Sequence, residues 1–313
     1  MSTINFLTPG FNKAGQNNID NQGGVIGPEN DPVINDLVTI FTSPGTFNRT
    51  KTEGTVLVVA GGGGAANRGG GAGAGGARIA TSHPFPASGV PVTVGSGGAG
   101  DGPYPWSNGS GNGSAFGASS PISCTGGGRG GNRPYPPAQN SSPRGDGDPG
   151  GSGGGAARGF GGTPTKNGGS GITNEGNNGG QGTQDWGGYA GGGGGYNTAA
   201  SNSGGAAGDG LNITPYFPGT TSIGTLVPAD SAYYVAGGGC GNANSGPAGK
   251  GGGNAAQNGT SGGGGGASYG STGGTGGDGV VAIAEAGAGP ARSSGMWTLK
   301  AQYTAAINNN WPS

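Results

Sequence analysis

The sequence predicts a mainly β and irregular protein: short strands framing a bundle of polyglycine helices of the polyproline-II type, with long loops and one short C-terminal helix. Three observations predict this. All but six of the 86 glycines in the 313 residues lie between residues 54 and 295. Short apolar, β-branched runs bracket that interval. Apolar residues make up only 29% of the chain. Side-chain burial alone cannot then offset the ordering entropy, which is largest for glycine.

In chain order, residues 1–36 form an arm outside the glycine bias. The run Leu37-Val38-Thr39-Ile40-Phe41 reads as the first strand, and Thr55-Val56-Leu57-Val58-Val59, which stops at Gly61, as the second. Pro91-Val92-Thr93-Val94 and Tyr233-Tyr234-Val235 read as further strands, and Val280-Val281-Ala282-Ile283-Ala284 closes the interval after Asp278-Gly279. Beyond it, Leu299, Tyr303 and Ile307 recur every fourth residue, which places them on one helix face ended by Asn308, Asn309, Asn310 and Pro312. The boundaries expected are thus an arm (1–36), a glycine-rich domain (37–290) and a tail (291–313).

Glycine runs at 61–64, 191–195 and 262–266 break any Gly-X-Y register and exclude a collagen triple helix. A glycine chain can instead wind as a threefold helix rising about 3.1 Å per residue, with no internal hydrogen bonds. Its amides point outward in three directions. With no Cβ in the way, neighbouring helices can bond backbone to backbone, each bond contributing about 1 kcal/mol net. Interior helices are expected to be nearly pure glycine, and outer ones to carry Ala, Ser, Asn or Thr, as at 168–171 and 273–277.

Thirteen basic and fourteen acidic residues give a net charge of −1, with no basic footprint for nucleic acid. No apolar run reaches the roughly 20 residues of a transmembrane helix, and the opening Met1-Ser2-Thr3 shows no secretory signal. Cys124 and Cys240 are too few for a disulfide framework; a single bridge and two isolated thiols both remain open. The pattern G-x-G-x-x-G arises by chance in so glycine-rich a chain, and Gly249-Lys250-Gly251 lacks the Ser or Thr of a phosphate loop. Residues 273–281 fit one calcium nonapeptide, but that chemistry needs tandem copies. Asp146 and Asp148 lack a downstream bidentate acid, and Arg144-Gly145-Asp146 is expected by accident. His83, the single histidine, precedes Pro84 and reads as a loop residue. No catalytic, cofactor-binding or metal-binding residue is predicted, and the chain is not expected to be an enzyme. The aromatic residues on Pro- and Gly-rich stretches are the binding candidates: Tyr104, Trp106, Tyr135, Trp186, Tyr189, Tyr196, Tyr216 and Phe217. Rings on stiff loops offer large contact area at low entropy cost, although the same rings could cap the ends of glycine helices.

The run Phe41-Thr42-Ser43-Pro44-Gly45-Thr46-Phe47, followed by Val56-Leu57-Val58-Val59-Ala60-Gly61-Gly62-Gly63-Gly64, resembles the opening of the glycine-rich domain of bacteriophage tail-fibre and virion proteins. Residues 71–78 and 92–100 are similar to that family's next segments. Asn112-Gly113-Ser114-Ala115-Phe116-Gly117 is similar to its turn of Gly-Ser-Ser-Phe-Gly type, and 277–283 to its closing strand. The resemblance spans roughly 37–286, with residues 118–235 carrying long insertions that do not align. Gly295-Met296-Trp297-Thr298-Leu299, Gln302-Tyr303 and Asn310-Trp311-Pro312 resemble the tail of phage structural proteins, notably of marine phages. The resemblance implies a virion component, a tail fibre or tip adhesin made in the host cytoplasm. Its aromatic loops would contact a bacterial surface polysaccharide or outer-membrane protein. Phe6, Phe11, Trp297, Tyr303 and Trp311 would contact other virion proteins. A homo-oligomer, for instance a trimer, is compatible with this reading; nucleic-acid binding, membrane insertion and a cofactor are not expected. The alternative is a virion part without a receptor, a capsid decoration or fibre-joining protein. An ice-binding or cell-wall polyglycine protein would need a regular tripeptide spacing that these runs lack.

Overall fold

The computed structural model describes residues 29–30, 37–67, 69–87, 89–100, 109–132, 145–158, 166–183, 189–202, 206–218, 220, 222–241, 247–254, 259–267 and 272–285. Among the described residues twelve strands are formed: β1 (Glu29–Asn30), β2 (Leu37–Phe41), β3 (Gly45–Phe47), β4 (Glu53–Val59), β5 (Ala77–Pro84), β6 (Val90–Thr93), β7 (Ser114–Phe116), β8 (Ile122–Cys124), β9 (Leu211–Asn212), β10 (Thr225–Val227), β11 (Ala232–Val235) and β12 (Val280–Glu285). They make three antiparallel sheets, ordered β1-β2-β12-β4-β5, β3-β6-β7-β8 and β10-β11-β9.

The closing strand β12 lies between β2 and β4, so the two ends of the glycine interval meet in one sheet. The strand period of two divides the apolar runs between the two faces of that sheet. Val38, Ile40, Leu57, Val59, Val280, Ala282 and Ala284 join Ile213, Phe217, Ile223 and Val235 from the three-stranded sheet and the chain around it. Phe41, Val56, Val58, Val281 and Ile283 face the other way, onto Phe47, Val90, Val92, Phe116 and Cys124 of the four-stranded sheet. Because both faces are covered, Val56–Val59 of β4 and Val280–Ala284 of β12 are continuous apolar runs rather than alternating ones.

The strands expected from the sequence all form. Two expectations are corrected. Asn112–Gly117 contains strand β7 rather than a plain turn, because Ser114 and Phe116 pair with Cys124 and Ile122 of β8. His83 lies in β5 rather than in a loop, its ring edge-on to Phe85 and Phe116 at centroid distances of 6.2 and 5.9 Å. The helix expected around 299–307 lies outside the described residues.

The glycine segments prolong the strands. From β4 the chain runs out along 60–66 and returns along 70–76 into β5. Between these segments the Ala60 N–H donates to the Gly76 carbonyl and the Gly63 N–H to Gly73. The other amides of 60–66 follow in rotation. Gly61 and Gly64 donate to Asn112 and Gly109, and Gly62 and Ala65 to Gly277 and Gly274. Each neighbour is therefore met at every third residue. Segment 70–76 repeats this pattern: Gly70, Gly73 and Gly76 donate to Gly131, Gly128 and Thr125; Gly71 and Ala74 to Gly191 and Gly194; Ala72 and Gly75 to Gly265 and Gly262. It also accepts from Gly63, Ser152, Gly155 and Gly239, so backbone surrounds it on all sides.

Such an interior satisfies its polar groups instead of avoiding them. A buried amide left unpaired would cost about 1–3 kcal/mol. The expectation that interior segments are nearly pure glycine is refined here. Ala60, Ala65, Ala66, Ala72 and Ala74 are wholly buried, and the methyls of Ala65, Ala72 and Ala267 form a small cluster of their own. Side-chain oxygens take up further backbone N–H groups. Asp278 accepts the Gly97 N–H, Glu285 the Thr50 and Lys51 N–H groups, and Ser114 the Gly95 N–H.

Candidate functional site

Turn 172–176 closes on itself through the Glu175 and Gly176 N–H groups, both donating to the Ile172 carbonyl. Asn174 sits in it at φ 66°, a left-handed conformation that asparagine tolerates well. Glu175 turns inward and is buried. Its carboxylate accepts from the Arg78 guanidinium at 2.8 Å and from the Thr125 N–H at 2.7 Å, while its carbonyl accepts the Ala77 N–H. The turn is thereby pinned to the first residues of β5, with Thr173 and Asn174 left exposed.

Asn177 and Asn178 continue the chain and brace the opposite wall. The Asn177 side-chain amide donates to the carbonyls of Gly195 and Tyr196, and Asn178 Oδ1 accepts the Gly171 N–H. The Ala200 N–H donates to the Asn178 carbonyl. Tyr196 packs against the apolar cluster beneath the large sheet. Between these walls lies a cleft of about 450 Å³ lined by Gly171, Thr173, Asn174, Gly176, Asn177, Asn178, Tyr196, Asn197 and Ala199. Every lining side chain is uncharged at neutral pH. Burial, then the neighbouring Tyr216 phenol, then Cys124 push the Tyr196 hydroxyl above its ordinary value, so it remains protonated and able to donate.

The predicted aromatic residues separate. Tyr196 borders the cleft. Tyr216 is 36% and Tyr189 41% exposed. Tyr189 is held at the base of its loop, its N–H donating to Thr183 Oγ1 and its carbonyl accepting the Thr183 N–H. Phe217 is corrected from a surface contact to a core side chain. The turn in which Tyr216 and Phe217 both donate to the Ile213 carbonyl sends Tyr216 outward and Phe217, 1% exposed, into the cluster with Ile213 and Ile223. Tyr104, Trp106, Tyr135 and Trp186, and Phe6, Phe11, Trp297, Tyr303 and Trp311, lie outside the described residues. The cleft's asparagines escaped the sequence reading, which looked for rings. The dense run Asn174-Glu175-Gly176-Asn177-Asn178 was the available signal.

The two cysteines are free and buried, so the open alternative resolves to isolated thiols. Burial, then the Glu175 carboxylate, pushes the Cys124 thiol from 9.0 up to about 12, against a smaller opposing effect of Arg78. Burial pushes Cys240 up to about 11. At pH 8 the folded protein is expected to hold about a thousandfold less Cys124 thiolate than an exposed thiol would. Iodoacetamide should therefore leave both cysteines intact until denaturant is added; rapid alkylation of native protein would contradict this. The folded state favours the neutral thiols, so their contribution is whole below pH 9 and is lost as pH rises toward 11 and 12.

Among the described residues no group of three or more His, Cys, Asp or Glu could hold a metal ion. Asp148 pairs with Arg129 at 2.6 Å and Asp146 accepts the Asn167 N–H. No helix among the described residues is long and apolar enough to cross a membrane. A family profile described as a glycine-rich domain matches residues 42–285. No curated protein matches the chain.

Proposed function

The chain belongs to the glycine-rich domain family, and from that premise we propose that it is a bacteriophage virion protein, a tail fibre or tip adhesin that attaches to the host cell surface through aromatic loops. The observation that carries this reading is that exposed Tyr189 and Tyr216 stand on loops closed by their own hydrogen bonds, Tyr189 with Thr183 and Tyr216 with Ile213. A rigid base lowers the entropy lost when such rings bind. The likeness of residues 41–47, 56–64 and 277–283 to phage fibre domains supports the same reading, and those residues supply β3, β12 and the start of the lattice. The glycine segments are read as polyproline-II-type helices, because their hydrogen bonds return to the same neighbour at every third residue. The protein acts by binding rather than catalysis. Its arm and tail contact other virion proteins, and its surface partner is a polysaccharide or outer-membrane protein of the bacterium.

Fluorescently labelled full-length protein should be retained by host cells, and the double substitution Tyr189→Ser with Tyr216→Ser should lower retention about tenfold with unchanged melting temperature. Wild-type protein that host cells do not retain would overturn the adhesin reading and leave a virion part without a receptor.

A further inference from the structure

We propose that the asparagine-lined cleft between turn 171–178 and residues 196–199 binds a neutral sugar ring of a surface glycan. This deepens the adhesin reading and rests on it for the source of the glycan. Among the described residues, no protein group holds the side chains of Thr173, Asn174 or Asn197 or the Asn178 Nδ2, and these residues line one cleft of about 450 Å³. Amides and hydroxyls offer donors and acceptors side by side, which matches sugar hydroxyls that are also both. Tyr196, partly buried against the apolar cluster, and Ala199 line the same cleft, and apolar side chains can meet the C–H face of a ring.

The charge pattern selects the ligand class. The acid nearest in sequence, Glu175, turns its carboxylate inward to Arg78 and Thr125, so neither a carboxylate nor an ammonium lines the cleft. An anionic sugar would find no cation there, and a basic peptide no anion. Part of the backbone along the cleft is also already paired. The N–H groups of Gly171, Gly176 and Asn177 are already donated to Asn178, Ile172 and Gly195. The free side chains stand on a turn pinned by Glu175 and braced by Asn177, so little ordering remains to be done when a ligand enters.

The test is saturation-transfer NMR on the full-length protein. The probes are the methyl α-pyranosides of glucose, mannose and galactose and N-acetylglucosamine, with glucuronate and a short glycine–serine peptide as competitors. Transfer to the ring protons of at least one neutral sugar is expected. Asn174→Gly, which keeps the left-handed turn, and Asn197→Ala should each weaken that binding about tenfold with melting temperature unchanged. Absence of transfer to every neutral sugar, equal binding by both variants, or preference for glucuronate or the peptide would overturn the proposal. Retention by host cells, measured alongside, separates the two readings. Protein that takes a sugar but is not retained removes the adhesin reading and leaves the cleft standing; protein retained by cells that takes no neutral sugar overturns the cleft alone.

Discussion

Gly73→Ala is expected to prevent the chain from reaching its folded state, at a cost above about 4 kcal/mol. A Cβ on Gly73 would lie 2.2 Å from the Ser152 carbonyl oxygen and 2.7 Å from the carbonyl carbon and oxygen of Gly153. These are backbone atoms of another lattice segment, so no side-chain rotation relieves the overlap. Moving the segments apart would stretch the hydrogen bonds from Gly73 to Gly128, from Gly63 to Gly73 and from Ser152 to Ala74. The flanking residues are alanines, Ala72 and Ala74, both wholly buried. Register rather than composition therefore makes position 73 intolerant. Gly109→Ala is the control: its Cβ would come no closer than 3.6 Å to a neighbouring heavy atom, and its effect should stay within about 0.5 kcal/mol. Denaturant unfolding of the two variants decides the matter. A Gly73→Ala protein with the wild-type midpoint would refute the backbone-core account.

Phe47→Ala is expected to cost about 3–5 kcal/mol. Phe47 is wholly buried on β3, with its ring 5.2 Å from Phe85 and 5.8 Å from Phe116. It belongs to the cluster that joins the four-stranded sheet to Val56, Val58, Val281 and Ile283 of the large sheet, and truncation would remove both ring contacts and leave a cavity between the layers. Phe47→Leu, which keeps most of the volume, should cost less than half as much. The two midpoints measured in urea check this; equal losses would show that the layer tolerates the cavity. Both experiments probe a fold with two kinds of core, one of side chains between sheets and one of hydrogen-bonded backbone.

The side-chain core was the more legible of the two. Runs such as Val56-Leu57-Val58-Val59 and Val280-Val281-Ala282-Ile283 announce buried strands, because β-branched residues without polar alternation fit a sheet covered on both faces. Their pairing with β2 around one central closing strand was not readable, since nothing local distinguishes a central from an edge strand. Tyr216 and Phe217 show the same limit at the candidate site. Both belong to one aromatic cluster in the sequence, but a turn at Ile213 turns one ring to solvent and the other into the core. The asparagines of the cleft are spread from Asn174 to Asn197. They become one site only because the Asn177 side chain bonds across to the carbonyls of Gly195 and Tyr196.

By itself the sequence determined that this protein must use its backbone as part of its core, because the glycine interval has too few apolar side chains to be held by them alone. It also determined where that core begins and ends, through the β-branched runs on either side. Only the tertiary structure decided which glycines are indispensable, which alanines are admitted, and where the polar cleft opens. The physical reason lies in the partners. Gly73, Ala74 and Gly75 are consecutive in the chain, yet they donate to Gly128, Gly194 and Gly262. What each position can tolerate is set by a carbonyl that arrives from a distant part of the sequence.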